Sequence, residues 1–319
     1  MRKTLFSLLR AGAMALGLML PAFSAGAAPY SEIYVFGDSL VDAGNISIAV
    51  PGTPSPGSGY YEGRFTDGPV FTDLLYQARF GQYMKPSLAG GTNYAFGGAR
   101  AVDNSGFAIG GDTIPDLAAQ VDSYAAKSGG TADPNALYIV NITGNDMFAL
   151  VGGNINGMDP ADYSALVALT LAGQIQRLND MGARHILVMG VPNANIPGAD
   201  GLQMLVDAAL GGLSLEAELL TYSYFDLFAR ILMDPTSVGL PADIDMATPC
   251  LDGETPSPTI DCTGYFFFDS THPTAALHEI IARELLATLT GLVPVSEPAA
   301  IALVGFGLFG LVMVRRRRI

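Results

Sequence analysis

The sequence predicts a three-layer α/β/α sandwich with a central parallel sheet. Three observations carry that prediction. The runs Ile33 to Phe36, Ala136 to Ile142 and His185 to Met189 are apolar almost throughout instead of alternating, as expected of strands covered on both faces. Segments of helical periodicity separate them, with the length of crossover helices. No internal repeat and no linker interrupts residues 28–291, so these read as one domain.

The elements follow in order. Ile33-Tyr34-Val35-Phe36 ends at Gly37, which permits a tight turn. Pro51 to Gly59 is a Pro/Gly/Ser loop. Val70 to Phe80 has helical spacing, and Pro115 to Ala126 is an amphipathic helix with proline at its start. After the strand Ala136 to Ile142, Ala161 to Met181 is a long helix with apolar residues at Leu166, Leu169, Ile175 and Leu178 and with Gly182 as its stop. His185 to Met189 is the next strand. Leu202 to Leu232 reads as mainly helical, and Ala275 to Leu289 is the last helix of the body.

The two ends read as addresses. Residues 1–27 have a basic start (Arg2, Lys3, Arg10), an apolar run and small residues ending Ala25-Gly26-Ala27, the layout of a secretory signal peptide. Residues 299–314 carry no charge and are followed by Arg315 to Arg318; as a helix they reach about 24 Å, just short of a bilayer's hydrocarbon core. The arginines are expected to stay cytoplasmic. With Val293-Pro294-Val295-Ser296-Glu297-Pro298 before it, the segment 292–319 resembles a PEP-CTERM sorting signal, with Ser296 in place of the first proline. That resemblance implies a Gram-negative source, an exosortase-type processing protease and transient membrane contact through the segment. The body is then exported, either secreted or held at the cell surface.

The whole chain carries a net charge of −14. Setting aside the seven basic residues and Glu297 of the two ends leaves nine Lys/Arg against 29 Asp/Glu, near −20 for the body. Such a surface repels nucleic acid and anionic membranes, so nucleic acid is not an expected partner. Cys250 and Cys262 are the only cysteines. In an exported body a disulfide between them is plausible, and it would close a loop worth on the order of 2–3 kcal/mol. No Cys-x-x-Cys or paired-histidine spacing suggests a zinc site, and no metal or organic cofactor is expected.

Chemistry enters with Phe36-Gly37-Asp38-Ser39-Leu40-Val41-Asp42-Ala43-Gly44-Asn45. Ser39 sits at the carboxyl end of the first strand, where parallel sheets place ligands. A helix starting near it would aim amides at a developing oxyanion. Alone, this block reads better as a capped turn with Asp38 and Asp42 as solvated turn residues. Asp269-Ser270-Thr271-His272-Pro273-Thr274 precedes the last helix. A carboxylate three residues before an imidazole can fix its tautomer, and the imidazole can take a serine proton. His185 and His278 lie within regular elements and suit packing or surface roles. Gly91 to Ala99 (GTNYAFGGA) offers amides at paired glycines, and Thr143-Gly144-Asn145-Asp146 places a donor amide at a strand's end.

In this order the four segments closely resemble the blocks of GDSL/SGNH serine esterases and lipases, over residues 33 to about 289. The resemblance implies a flavodoxin-like sandwich and hydrolysis of carboxylic esters. It makes Ser39 the nucleophile, Asp269 the acid and His272 the base. The oxyanion donors become the Ser39 amide, the Gly98 amide and the Asn145 side chain. Thr143 replaces a glycine usual in the third block, which puts the loop carrying Asn145 in question. Lipid, aryl and acetylated-sugar or polysaccharide esters are the implied substrates, with the Pro51–Gly59 loop and the 199–232 region as possible walls of the acyl site. An acyltransferase on the same triad and a surface or exopolysaccharide-binding protein on a hydrolase scaffold are the alternatives.

Overall fold

The computed structural model describes residues 30–55, 57–104, 108–109, 112–192, 195–251 and 260–289. The signal-peptide and sorting-segment expectations fall on residues outside this set. In chain order the elements are β1 (Ile33–Gly37), α1 (Asn45–Ala49), α2 (Phe71–Phe80), β2 (Ala108–Ile109), β3 (Asp112–Thr113), α3 (Leu117–Ser128), β4 (Leu137–Asn141), α4 (Gly144–Gly152), α5 (Pro160–Met181), β5 (His185–Met189), α6 (Ala199–Gly211), β6 (Glu218–Tyr222), α7 (Tyr224–Met233) and α8 (Ala275–Thr288).

The main sheet is four-stranded, in the order β1-β4-β5-β6, and every pair in it is parallel. A further extended segment lies along the outer edge of β1. There the Val35 amide donates to the Thr92 carbonyl (3.1 Å), Tyr94 N–H to Val35 O (2.7 Å) and Phe96 N–H to Gly37 O (3.1 Å). With that segment counted as an edge strand, the spatial order is the 2-1-3-4-5 of flavodoxin-like sheets. It also carries the glycines that follow Phe96 to the carboxyl end of β1, beside Ser39.

Strand periodicity divides the core in two. Phe36, Tyr138, Val140, Ile186 and Val188 face α3, α5 and α6. Val35, Leu137, Ile139, Leu187 and Met189 face α2, α7 and α8. Both faces are therefore covered, which explains the continuous apolar runs of β1, β4 and β5. The helix starts are conventional: Asp116 and Asp159 accept the Ala119 and Ala161 amides, each such cap being worth about 1 kcal/mol.

Three expectations are sharpened. The mainly helical stretch Leu202 to Leu232 also holds a strand, β6, which separates α6 from α7. The sequence ELLTY sits at the sheet edge with only partial burial, so it lacks the unbroken apolar signature of the inner strands. No helix starts at Ser39. Residues 38–41 form a turn, closed by Val41 N–H to Asp38 O (3.2 Å), and α1 begins only at Asn45. The block Thr143–Asp146 is not just a strand end: Thr143 is the N-cap of α4 and Asn145 lies in its first turn.

Candidate active site

Ser39 stands in the turn after β1, at the carboxyl edge of the sheet. The turn is forced by Gly37, where a Cβ would lie 2.1 Å from the Asn141 carbonyl oxygen. The segment after Phe266 reaches the same edge through its own backbone: Phe268 N–H bonds to His272 O (2.7 Å) and Thr274 N–H to Phe266 O (3.0 Å). The resulting loop ends where α8 begins. His272 Nε2 lies 2.8 Å from Ser39 Oγ, and His272 Nδ1 lies 2.7 Å from Asp269 Oδ2.

Asp269 is held from several sides. Its Oδ1 accepts the backbone amides of Thr271 (2.8 Å) and His272 (2.7 Å), and its Oδ2 accepts the Tyr60 hydroxyl (3.0 Å). Burial pushes its pKa up, but the His272 ring and these two amides outweigh burial and leave it below the usual carboxylate value. It therefore stays anionic beside the imidazole. Phe65 packs its ring 5.1 Å from that of His272. Neither Tyr60 nor Phe65 was singled out from the sequence. Each is more than two hundred positions from its partner, and nothing local marks either as different from a loop aromatic.

The loops beside Ser39 are held by two buried carboxylates. Asp42 accepts the amides of Gly44 (2.8 Å), Asn45 (2.6 Å), Ile46 (3.2 Å) and Gly97 (2.9 Å). Asp146 accepts Ala101 N–H (2.8 Å) and the Tyr163 hydroxyl (3.2 Å). Between these clamps runs the Gly97–Ala101 loop. The Gly97 amide is engaged by Asp42, whereas the amides of Gly98 and Ser39 make no hydrogen bond among the described residues. Asn145 Nδ2 donates to Ala99 O (2.8 Å), tying its side chain to the same loop. Ser39, Gly98, Asn145 and His272 line one hollow. Burial raises Asp42 and Asp146 to about 6 despite their amide donors.

Thr143 replaces the expected glycine at a cost that the structure makes explicit. Its φ is +96°, a left-handed conformation uncommon for a β-branched residue, and its buried hydroxyl has no partner among the described residues. Asn145 nevertheless lines the site.

The other histidines stay outside. His185 lies beside Glu218 on the neighbouring strand (Nδ1 to Oε2, 3.5 Å). Buried His278 accepts the Phe71 amide (3.2 Å) and is held neutral, its pKa pushed down to about 3 by burial and then by the nearby His272. Cys250 and Cys262 are joined by a disulfide. Among the described residues no cluster of His, Cys, Asp or Glu could hold a metal ion, and no helix is long and apolar enough to cross a membrane.

A serine, a histidine and a carboxylate in hydrogen-bonded series, beside a hollow lined by residues with unengaged backbone amides, are the parts of acyl transfer. The family model of the GDSL-like Lipase/Acylhydrolase matches residues 33–285. The chain belongs to the GDSL-like lipase/acylhydrolase family. Its chemistry is carboxylic ester hydrolysis. A GDSL esterase/lipase of Arabidopsis thaliana is 31% identical, over 80% of this chain and 85% of that protein. A second from the same plant is 26% identical over 83% and 91%. Lipase 1 of Photorhabdus luminescens is 31% identical over 57% of this GDSL-like chain but only 25% of its own length.

Proposed function

We propose that the protein is an exported hydrolase that cleaves carboxylic esters through an acyl-enzyme on Ser39. The supporting observation is the unbroken series Ser39 Oγ, His272 Nε2, His272 Nδ1, Asp269 Oδ2, with both links under 3 Å. Ser39 Oγ attacks the ester carbonyl carbon and His272 Nε2 takes its proton. Asp269 stabilises the imidazolium and holds its tautomer. The carbonyl oxygen, now an oxyanion, is received by the Ser39 and Gly98 amides and the Asn145 side chain. The C–O bond to the alcohol breaks as His272 returns the proton to the leaving oxygen. Water then attacks the acyl carbon through the same base and frees Ser39.

Export rests on the composition of the two end segments and fits the Cys250–Cys262 disulfide, a bond that persists in oxidising compartments. Processing of the C-terminal segment by an exosortase-type protease is part of the same reading. The test is turnover of p-nitrophenyl butyrate by the wild type and by Ser39→Ala, with circular dichroism to verify folding. Wild-type activity in the variant would overturn the assignment. Product analysis in the presence of glycerol separates hydrolysis from acyl transfer to an alcohol: transfer product in excess of free acid would make the protein a transferase.

A further inference from the structure

The active site has two lobes that meet at Ser39, Asn145 and His272. The lobe on the Gly98 side is the more open to solvent. The other is lined by residues of α7 and α8.

The inner lobe is lined mostly by apolar side chains. α8 starts just after His272 and contributes Leu277 and, one turn on, Ile281 to the lining. α7 starts at Tyr224, whose hydroxyl donates to Asn141 Oδ1 (2.5 Å) at the end of β4, with Leu227 and Ile231 one and two turns further on. All four aliphatic residues are almost fully buried, at 2%, 3%, 4% and 1% exposure for Leu277, Ile281, Leu227 and Ile231. The Tyr224 hydroxyl, already bonded, adds no unmet polar demand. The lobe is therefore a slot with mainly apolar walls, Asp38 being among its lining, and Tyr224 to Ile231 spans about 10 Å along the α7 axis.

We propose that this slot is the acyl subsite and that it selects straight acyl chains of medium length, hexanoyl to octanoyl, over acetyl. This rests on Ser39 being the nucleophile. The alcohol leaves before water enters, so it suits the more open lobe, while the acyl group stays on Ser39 through both steps and suits the less open one. An acetyl group leaves the slot empty. Each added methylene that is buried there improves kcat/KM about fourfold. A palmitoyl chain runs past Ile231 and Ile281 and must leave the slot or displace them.

The experiment is a p-nitrophenyl ester series from acetate to palmitate with wild type, Ile281→Phe and Ile231→Ala. The expected wild-type kcat/KM rises at least tenfold from acetate to an optimum at hexanoate or octanoate, then falls by palmitate. Ile281→Phe shortens the slot and lowers the octanoate-to-butyrate ratio at least fivefold. Ile231→Ala lengthens it and moves the optimum to longer chains. An acetate optimum, or a flat series, overturns the proposal, and so does a wild-type optimum that neither folded variant moves. If Ile281→Phe does not fold, the wild-type series and Ile231→Ala still decide. Failure to cleave any ester in the series would instead count against the esterase reading itself.

Discussion

His272 Nε2 lies within 2.8 Å of Ser39 Oγ, across 233 positions of chain. The contact depends on two backbone devices: the Gly37 turn that lifts Ser39 off β1, and the bonded loop that carries His272 to the start of α8. Ser39→Ala and His272→Ala should each lower kcat by roughly 10⁴-fold or more, and the double variant should be no worse than either, because the two act as a unit. Asp269→Asn should lose about 10⁴-fold by stabilising the wrong tautomer. Steady-state kinetics on a soluble ester checks all four. Additive losses in the double variant would mean that the two groups work independently.

Asn145 and Thr143 make a separable pair. Asn145→Ala should lower kcat about 10²-fold with little change in KM, since an oxyanion donor acts in the transition state. Thr143→Gly should raise stability. It removes a left-handed φ of +96° and a buried hydroxyl without a partner, at the cost of a more flexible unfolded chain. The balance favours the variant by about 1–2 kcal/mol. Urea denaturation measures it, and a loss of stability would show that Thr143 contributes packing that outweighs the strain.

What the sequence disclosed, and what it hid, follows from the range of the interactions. β1, β4 and β5 were legible because burial on both faces writes itself into every position of a strand. Ser39, Asp269, His272 and Asn145 were legible as residues because their blocks are local; that Asp269 precedes His272 by one turn of a loop is a local fact. β6 was hidden because an edge strand alternates weakly and ELLTY also suits a helix. Tyr60 and Phe65 were hidden because only the fold brings them to Asp269 and His272. The 199–232 region was read as a wall of the acyl site, yet only its last part, α7, lines the inner lobe. The Pro51–Gly59 loop leads into Tyr60, whose hydroxyl donates to Asp269 Oδ2.

The disulfide braces the histidine loop. Next to it, Cys250 N–H bonds to Phe267 O (2.9 Å) and Leu251 N–H to Phe268 O (2.6 Å), just before Asp269. Replacing both cysteines by serine should lower stability by about 2–3 kcal/mol from the loop closed between them. It should also lower kcat, because the segment that carries Asp269 loses its brace. Equal urea midpoints and unchanged kinetics would show that backbone pairing alone holds the loop.

Asp38, next to Ser39 in the chain, should make stability fall as pH rises. Burial lifts its pKa from 3.8 to about 7, even though Oδ1 accepts the Leu40 amide and Asn141 Nδ2; its Oδ2 is buried without a partner among the described residues. A raised carboxyl pKa means that the folded state holds the proton more tightly than the unfolded state. The contribution of Asp38 is therefore neutral below pH 4 and becomes increasingly destabilising from there up to about pH 7, after which it levels off. Asp38→Asn removes that charge but leaves an amide where Oδ2 was, so part of the gain is lost to an unpaired donor. The variant should match wild type at pH 4 and exceed it by about 1–3 kcal/mol at pH 8. Urea midpoints across that range give the difference directly. A difference that is constant with pH would mean that Asp38 does not change its charge within the window, and that its carboxylate is compensated by groups that the present hydrogen bonds do not include.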